Sequence, residues 1–194
     1  FIIMRPIDIE IIDDFVSPSY LKELNESVDP NEQYYHFQGS QSFFNNDIED
    51  FGFSIGLCSV QKPDTFYDTK LATFVRPLIY QIKDYAEASS IVRCRVDLTL
   101  LHKQKYIHPP HIDIHNPQRI QYVAAIVYVN ETDGDTVIYD HQQDEISPYP
   151  TSMKIKKTIT PKPGRLVLFN GRYVHTGHSP SEHQTRILVN IVLS

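Results

Sequence analysis

The sequence predicts an α+β fold in which helices come first and a run of short strands, folded as a sandwich or jelly roll, follows. Three observations predict this order. Apolar residues recur at helical spacing between Leu71 and Tyr85, and after Ser90 they change to an alternating pattern. Clusters of asparagine, glycine, serine and proline then divide the C-terminal half into short segments. The fold class therefore follows from a change of period along the chain.

Two helices are expected in the N-terminal part. The first begins after Ser17, because its hydroxyl can cap a helix and a proline follows it in the first turn, and it ends near Ser27. The second covers Leu71 to Tyr85, where one face is apolar. Pro77 lies inside this segment and lacks a backbone donor, so we expect a kink or a restart there.

Strands are expected on both sides of these helices. The segment from Ile7 to Phe15 predicts a short strand, and residues 31–68 predict loops and short edge strands that could wall a substrate cleft. Alternation of apolar and polar residues from Val92 to Leu100 is typical of a strand with one buried face. Further strands are expected at residues 120–129, 135–139, 154–160, 166–169 and 186–193.

Composition excludes several classes of protein. The 18 Lys and Arg residues against 24 Asp and Glu give a formal net charge of −6, which argues against binding to nucleic-acid backbones. No apolar run approaches the roughly 20 residues that span a bilayer. We expect a soluble cytoplasmic protein with no membrane partner. The sequence begins at Phe1 and not at a methionine, so the possibility that the N-terminus is trimmed stays open.

No repeat or linker divides the chain. We expect one domain over residues 1–194, with a helical and loop part at about 1–90 and a strand core at about 91–194. Cys58 and Cys94 are far apart in sequence and have no zinc-ligand spacing, so reduced core thiols and a reducing compartment are expected.

His111 and Asp113 form a candidate metal site. In an extended segment these two residues share one face, so an imidazole nitrogen and a carboxylate oxygen can reach one cation. His175, late in the strand-rich half, is the natural third ligand. Two histidines and one carboxylate leave three positions open on iron(II), as an oxygenase needs. Taken alone, such a His-x-Asp pair is more often structural than catalytic.

From about Val96 to Leu193 the chain resembles the 2-oxoglutarate- and iron(II)-dependent dioxygenases, particularly their prolyl 4-hydroxylase-like branch. The motifs follow the order of that family. They are the His111 and Asp113 pair, the strand Ile126-Val127-Tyr128-Val129-Asn130, the turn Asp133-Gly134-Asp135-Thr136, the segment Lys162 to Phe169 before His175, and Thr185-Arg186 before a final apolar strand.

The resemblance implies a double-stranded β-helix, which is a jelly roll, with the N-terminal helices packed on one sheet. It implies Fe(II), 2-oxoglutarate as co-substrate and dioxygen, with ascorbate as a further candidate. His111, Asp113 and His175 would hold the metal. Arg186 would bind the distal carboxylate of 2-oxoglutarate, and Tyr128 would contact the same carboxylate.

The sequence departs from the family in two places. Only one glycine stands in the turn at Gly134, where a double glycine is frequent. Where some relatives carry a second tyrosine about ten residues before the His-x-Asp motif, this chain has Leu100 and Leu101. These differences bear on the co-substrate contacts and on the substrate, and leave the metal triad intact.

Hydroxylation of a C–H bond, with a prolyl residue of a peptide or protein as the first substrate, is the activity that the resemblance implies. A free amino acid, a small metabolite or an alkylated nucleobase are alternative substrates for the same chemistry. A β-helix domain that binds a ligand without catalysis is an alternative of another class, which would not need the three metal ligands together with Arg186.

Overall fold

The computed structural model describes residues 4–39, 50–115, 121–144 and 149–194. Its elements are, in chain order, β1 (Ile9–Ile12), α1 (Pro18–Ser27), β2 (His36–Gln38), β3 (Gly52–Cys58), α2 (Lys70–Tyr85), β4 (Ile91–Leu100), β5 (Val123–Tyr128), β6 (Thr136–Gln142), β7 (Ile155–Ile159), β8 (Leu166–Asn170), β9 (Tyr173–Gly177) and β10 (Thr185–Leu193). Among the described residues, neither helix is long and apolar enough to cross a bilayer.

The strands form two sheets. Seven of them pair in the order β1-β8-β5-β10-β4-β3-β2, and three pair in the order β7-β6-β9. Every pairing is antiparallel, and neighbours in each sheet are mostly distant in sequence, as in a jelly roll. The predicted α+β jelly roll is confirmed.

Each central strand of the large sheet separates two environments. On β10, Ile187, Val189 and Ile191 belong to a large apolar cluster that also contains residues of both helices. Leu188, on the opposite face, belongs to a second cluster shared with β6, β7 and β8. Since side chains alternate along a strand, Arg186 and Asn190 share the face of Leu188, toward the small sheet.

Strand β4 behaves in the same way. Its predicted apolar positions, among them Cys94, Val96 and Leu98, pack in the cluster with the helices. Asp97 and Thr99 lie on the other face and are also buried, at 8% and 6% exposure. The sequence pattern predicts one buried face, whereas the structure buries both because the small sheet covers the polar side.

Most predicted element positions are confirmed. Helix α1 begins at Pro18 as predicted, although the Ser17 side chain makes no capping hydrogen bond. Helix α2 runs without interruption through Pro77, so the predicted restart does not occur, and the Thr69 hydroxyl caps it by accepting from the backbone N–H of Ala72. Strand β9 is absent from the sequence prediction, and part of the predicted strand at 120–129 lies outside the described residues.

The two cysteines are free and buried, which confirms the prediction of core thiols. Cys58 on β3 is the register partner of Cys94 on β4, next to an irregularity in the pairing. Burial raises the pKa of the Cys94 thiol well above its ordinary value, and burial also raises the pKa of Cys58.

Candidate metal centre

Backbone pairing brings His111 and His175 together. The N–H of each residue donates to the carbonyl of the other at 2.9 Å, which makes an isolated antiparallel bridge. The two imidazole rings lie side by side with centroids 4.6 Å apart. His175 lies on β9, and His111 on a segment with no regular structure of its own, so this bridge fixes the loop to the small sheet.

Both imidazoles are oriented by backbone carbonyls. Nδ1 of His111 lies 3.2 Å from the carbonyl oxygen of Pro109, and Nδ1 of His175 lies 3.0 Å from that of Tyr173. Because a carbonyl can only accept, Nδ1 carries the proton in each ring and Nε2 keeps its lone pair. Burial lowers the pKa of His111 to about 4, and the neighbouring His175 adds to this shift. The His111 ring is therefore neutral at physiological pH, as a metal ligand must be.

Asp113 completes the cluster from the same loop. The residue is 5% exposed, and its Oδ1 accepts a hydrogen bond from Nη2 of Arg93. Its Oδ2 has no hydrogen-bond partner among the described residues and lies 3.6 Å from Nε2 of His175. Burial opposes ionisation, but Arg93 and the two imidazoles together hold the pKa of Asp113 well below its ordinary value. A buried, ionised oxygen without a donor is costly unless a cation occupies the space beside it.

One ligand atom from each of these three residues can be chosen so that all lie within 4.8 Å of one another. Two imidazole nitrogens and one carboxylate oxygen on one side of a cation are the donor set of non-haem iron(II) oxygenases. The unpartnered Oδ2 of Asp113 fits the same assignment. The residues that the sequence predicts as metal ligands are therefore brought together, and their chemistry suits Fe(II).

The cluster opens into a cavity between the two sheets. Its wall comes from the polar face of β4, the inner face of β10, and the ends of β6 and β9. The lining residues are Arg95, Asp97, Thr99, His108, His111, Ile126, Thr136, His175, Thr176, Gly177, Arg186, Leu188 and Asn190. Arg186 and the two histidines thus share one space.

Arg186 is held firmly in this wall. It is 6% exposed, its Nε donates to the carbonyl of Gly134 at 2.8 Å, and its Nη2 donates to the Thr136 hydroxyl at 2.8 Å. A Cβ added to Gly177 would lie 3.2 Å from Nη1 of Arg186, so a glycine there gives the guanidinium room. Burial lowers the pKa of Arg186, yet a guanidinium remains charged at physiological pH.

Tyr128 lies behind Arg186. Its side chain is fully buried between the sheets and does not line the cavity. Its hydroxyl donates to Oγ1 of Thr136 at 2.6 Å, the same oxygen that accepts from Arg186. The predicted contact of Tyr128 with the co-substrate stays a prediction, and the structure adds Thr136 as a hydroxyl between the two residues.

Sequence reasoning missed several polar residues that line the cavity or contact the metal cluster. Arg93 and Arg95 stand on the polar face of β4, where four charged or polar residues alternate with apolar ones, and this alternation was the available signal. His108 also lines the cavity, with Nδ1 3.0 Å from the Asp50 carboxylate and Nε2 3.1 Å from the Ser179 hydroxyl. No sequence spacing links these three residues, since they lie on separate segments.

Comparison with known proteins agrees with this geometry. The model of the 2OG-Fe(II) oxygenase superfamily matches residues 98–193, which contain all three clustered residues and Arg186. No curated protein is found that matches the chain in sequence.

Several solved structures share the fold. A Pseudomonas putida prolyl-4-hydroxylase is 12% identical with a TM-score of 0.62, over 96% of this chain and 92% of that one. A Trichoplax adhaerens prolyl hydroxylase, solved with a hypoxia inducible factor peptide fragment, is 15% identical with a TM-score of 0.65, over 95% and 82%. The epimerase SnoN of nogalamycin biosynthesis, solved with Fe3+, alpha ketoglutarate and nogalamycin RO, is 13% identical with a TM-score of 0.64, over 97% and 79%.

At these identities the solved structures establish the fold, and the match to the family model establishes the family. Fe(II) and 2-oxoglutarate are the metal and the co-substrate of this family. Through residues 98–193, the chain belongs to the 2OG-Fe(II) oxygenase superfamily.

Proposed function

We propose that this protein hydroxylates a C–H bond of its substrate, and that a prolyl residue of a peptide or protein is that substrate. The observation that carries the chemistry is the unpartnered Oδ2 of Asp113. It lies beside the imidazoles of His111 and His175, and these two rings line a cavity that also contains a buried arginine.

The roles of the residues follow from their chemistry. His111 and His175 bind the iron through Nε2, and Asp113 binds it through Oδ2. When bound, iron(II) with 2-oxoglutarate and dioxygen supplies the oxidising power for hydroxylation, and the co-substrate leaves as succinate and carbon dioxide. The protein positions the reactants and keeps water from them, which the buried apolar wall residues Ile126 and Leu188 serve.

Arg186 binds the distal carboxylate of 2-oxoglutarate. Two of its donors are used by Gly134 and Thr136, which fixes the guanidinium and leaves Nη1 to meet an anion. Tyr128 acts on the same carboxylate indirectly, by holding the Thr136 hydroxyl that accepts from Arg186. A buried, preoriented guanidinium is well suited to a carboxylate because its position costs no rearrangement on binding.

The prolyl substrate is favoured by the resemblance of the motifs and by the two prolyl hydroxylases among the similar structures. SnoN, an epimerase with the same fold, illustrates that the fold alone does not choose the substrate. A free amino acid, a small metabolite and an alkylated nucleobase are therefore the alternatives. The net charge of −6 weighs against the nucleobase.

The chemistry can be tested before the substrate is known. Protein is loaded anaerobically with Fe(II) and 2-oxoglutarate, and the weak visible charge-transfer band of the chelate is recorded. Admission of air should then give succinate even without substrate. Wild-type protein that binds Fe(II) but gives neither the band nor succinate would support a non-enzymatic ligand-binding domain instead.

Variants assign the metal ligands. Asp113→Ala should lose Fe(II) binding, the visible band and succinate formation together, because it removes one of three ligands. Asp68→Ala, at an exposed position outside the cavity, is the matched control and should retain all three. Peptides in which single prolines are replaced by alanine would then test the substrate, with a mass increase of one oxygen as the readout.

A further inference from the structure

We propose that Arg95 is a second carboxylate-binding residue of the metal cavity, and that it takes the keto-acid end of 2-oxoglutarate while Arg186 takes the distal end. This assignment rests on the proposed function, because it deepens the description of the same cavity. It concerns a residue that neither the sequence motifs nor the metal cluster single out.

The first observation is the hydrogen bonding of Arg95. Its Nε lies 2.7 Å from one carboxylate oxygen of Asp97 and 3.0 Å from the other. Among the described residues, Nη1 and Nη2 of Arg95 have no hydrogen-bond partner, although the side chain is only a quarter exposed and lines the cavity. Asp97 therefore fixes Nε of Arg95 and leaves Nη1 and Nη2 available to bind a carboxylate with two parallel hydrogen bonds.

The second observation is the position of Arg95 along the sheet. In the register of β4 and β10, Arg95 is opposite Asn190, whereas Thr99 is opposite Arg186. Arg95 and Arg186 are thus four residues apart along paired strands, or about 13 Å between backbone positions. Arg93, the next residue on the same face as Arg95, binds Asp113. Arg95 therefore stands at the metal end of the cavity and Arg186 at the other.

The third observation is the negative charge of the ligand, which groups in the cavity must compensate. 2-Oxoglutarate carries two carboxylates, and each loses water on entering the cavity, so each needs a cation or hydrogen-bond donors beside it. Arg186 can serve one of them. The positions Leu100 and Leu101 offer no hydroxyl, and Leu100 is exposed at 39%. In the part of the cavity lining that the structure describes, Arg95 is the second guanidinium, and it can donate to the carboxylate beside the metal.

A structural role is the competing explanation, in which Arg95 only neutralises the buried Asp97. The two explanations predict opposite responses. If the pair is only structural, loss of either partner should harm the protein in the same way, because each leaves the other buried and uncompensated. If Arg95 binds a carboxylate, loss of Arg95 weakens anion binding, whereas loss of the Asp97 charge strengthens it.

The test measures binding to Mn(II)-loaded protein by calorimetry, with no turnover. Oxalate is the key probe, because it chelates a metal and has no distal carboxylate. Arg95→Gln should raise the Kd of both oxalate and 2-oxoglutarate about tenfold or more, as expected for lost charged hydrogen bonds. Its Kd for Mn(II) should stay equal or fall, since a positive charge near the metal is removed. Asp97→Asn should lower the Kd of oxalate.

Two further variants complete the design. Arg186→Gln should raise the Kd of 2-oxoglutarate and leave that of oxalate unchanged, which separates the two ends of the cavity. Arg95→Lys keeps the charge and should recover part of the oxalate affinity. Unchanged oxalate and 2-oxoglutarate affinity in Arg95→Gln would overturn the assignment, as would equal losses of Mn(II) affinity and thermal stability in Arg95→Gln and Asp97→Asn. Wild-type protein that fails to bind 2-oxoglutarate would instead refute the proposed function itself.

Discussion

Arg93 donates a hydrogen bond to one oxygen of Asp113, while the other oxygen has no hydrogen-bond partner in the part of the chain that the structure describes. The same guanidinium donates to the backbone carbonyl of Asp113 at 3.1 Å and to the side-chain oxygen of Asn190 at 3.1 Å. Three bonds from one rigid group fix both the rotamer of the carboxylate and the loop that carries it. This arrangement suits the proposed role of Asp113, in which the carboxylate would bind a metal through a single oxygen and leave positions open for other ligands.

Replacement of Arg93 should weaken metal binding although Arg93 is no ligand. In Arg93→Met the carboxylate loses its orienting donor and the positive charge that favours its ionised form. We expect the Kd for Mn(II) to rise about 10- to 100-fold, the usual effect of losing a partner of a metal ligand. Calorimetric titration at pH 7 measures it. Arg76→Met on α2, where Arg76 contacts Thr73 and the Phe66 ring, is the control and should bind Mn(II) normally.

Thr136 should matter both for stability and for 2-oxoglutarate. Its hydroxyl accepts from Tyr128 and from Arg186, so Thr136→Val leaves two buried donors unpaired. The free energy of unfolding should fall by about 1–3 kcal/mol in urea denaturation. The KM for 2-oxoglutarate should rise, with metal affinity unchanged.

Thr132 supplies the matched control for that experiment. Its hydroxyl is buried and makes no hydrogen bond to any described residue, so Thr132→Val removes a polar atom without breaking a hydrogen bond seen in the structure. This variant should be as stable as the wild type or more stable. Equal destabilisation by the two substitutions would show that the shared hydroxyl of Thr136 has no special role.

Gly134 should tolerate no side chain. An added Cβ would lie 2.7 Å from Cδ of Arg186 and would also collide with the backbone carbonyl of His178. Gly134→Ala should therefore displace Arg186, raise the KM for 2-oxoglutarate and lower the melting temperature. Gly39→Ala is the comparison, because its Cβ would meet only the Phe37 ring at 3.7 Å, an ordinary contact. A Gly134→Ala protein with wild-type KM would contradict the close fit.

Asp133 should make the fold sensitive to acid. Burial opposes its ionisation, but hydrogen bonds from Ser181, Glu182 and His183 hold its pKa well below the ordinary value of 3.8. A carboxyl whose pKa is lower in the folded state stabilises the protein above its unfolded pKa, and this stabilisation is lost as pH falls below that value. Asp133→Asn should thus lower the free energy of unfolding at pH 7. Between pH 5 and pH 3, which bracket the ordinary pKa of 3.8, the free energy of unfolding of Asp133→Asn should fall less than that of the wild type. Urea denaturation at the three pH values measures the difference, and parallel curves would refute it.

The sequence predicted the helices and most strands because their signals are local. The period of Leu71 to Tyr85 and the alternation along β4 each lie within one element. Strand β9 gave no such signal, since its five residues include a histidine and a threonine that are buried although they are polar. Its pairing with β6 and with His111 depends on residues far away in sequence.

The candidate site was predictable only in part for the same reason. His111, Asp113, His175 and Arg186 form motifs whose order along the chain is visible. Arg93 is twenty residues from Asp113 and acts through a contact that only the packed sheet creates. The polar face of β4 could have indicated a cavity, because charged residues on a strand between two layers need an internal partner.

The two-sided role of strand β10 limits how the sequence of this protein can evolve. One face of β10 belongs to the apolar cluster that also contains residues of both helices, and the other face carries Arg186 in the wall of the cavity, so folding and the proposed co-substrate binding depend on the same nine residues. A substitution in β10 affects folding and the proposed co-substrate binding together, which favours conservation of its residues. Loop residues around the cavity other than those near His111 and Asp113 do not have this double role, and divergence there can therefore alter which molecule is oxidised while the proposed metal ligands are retained.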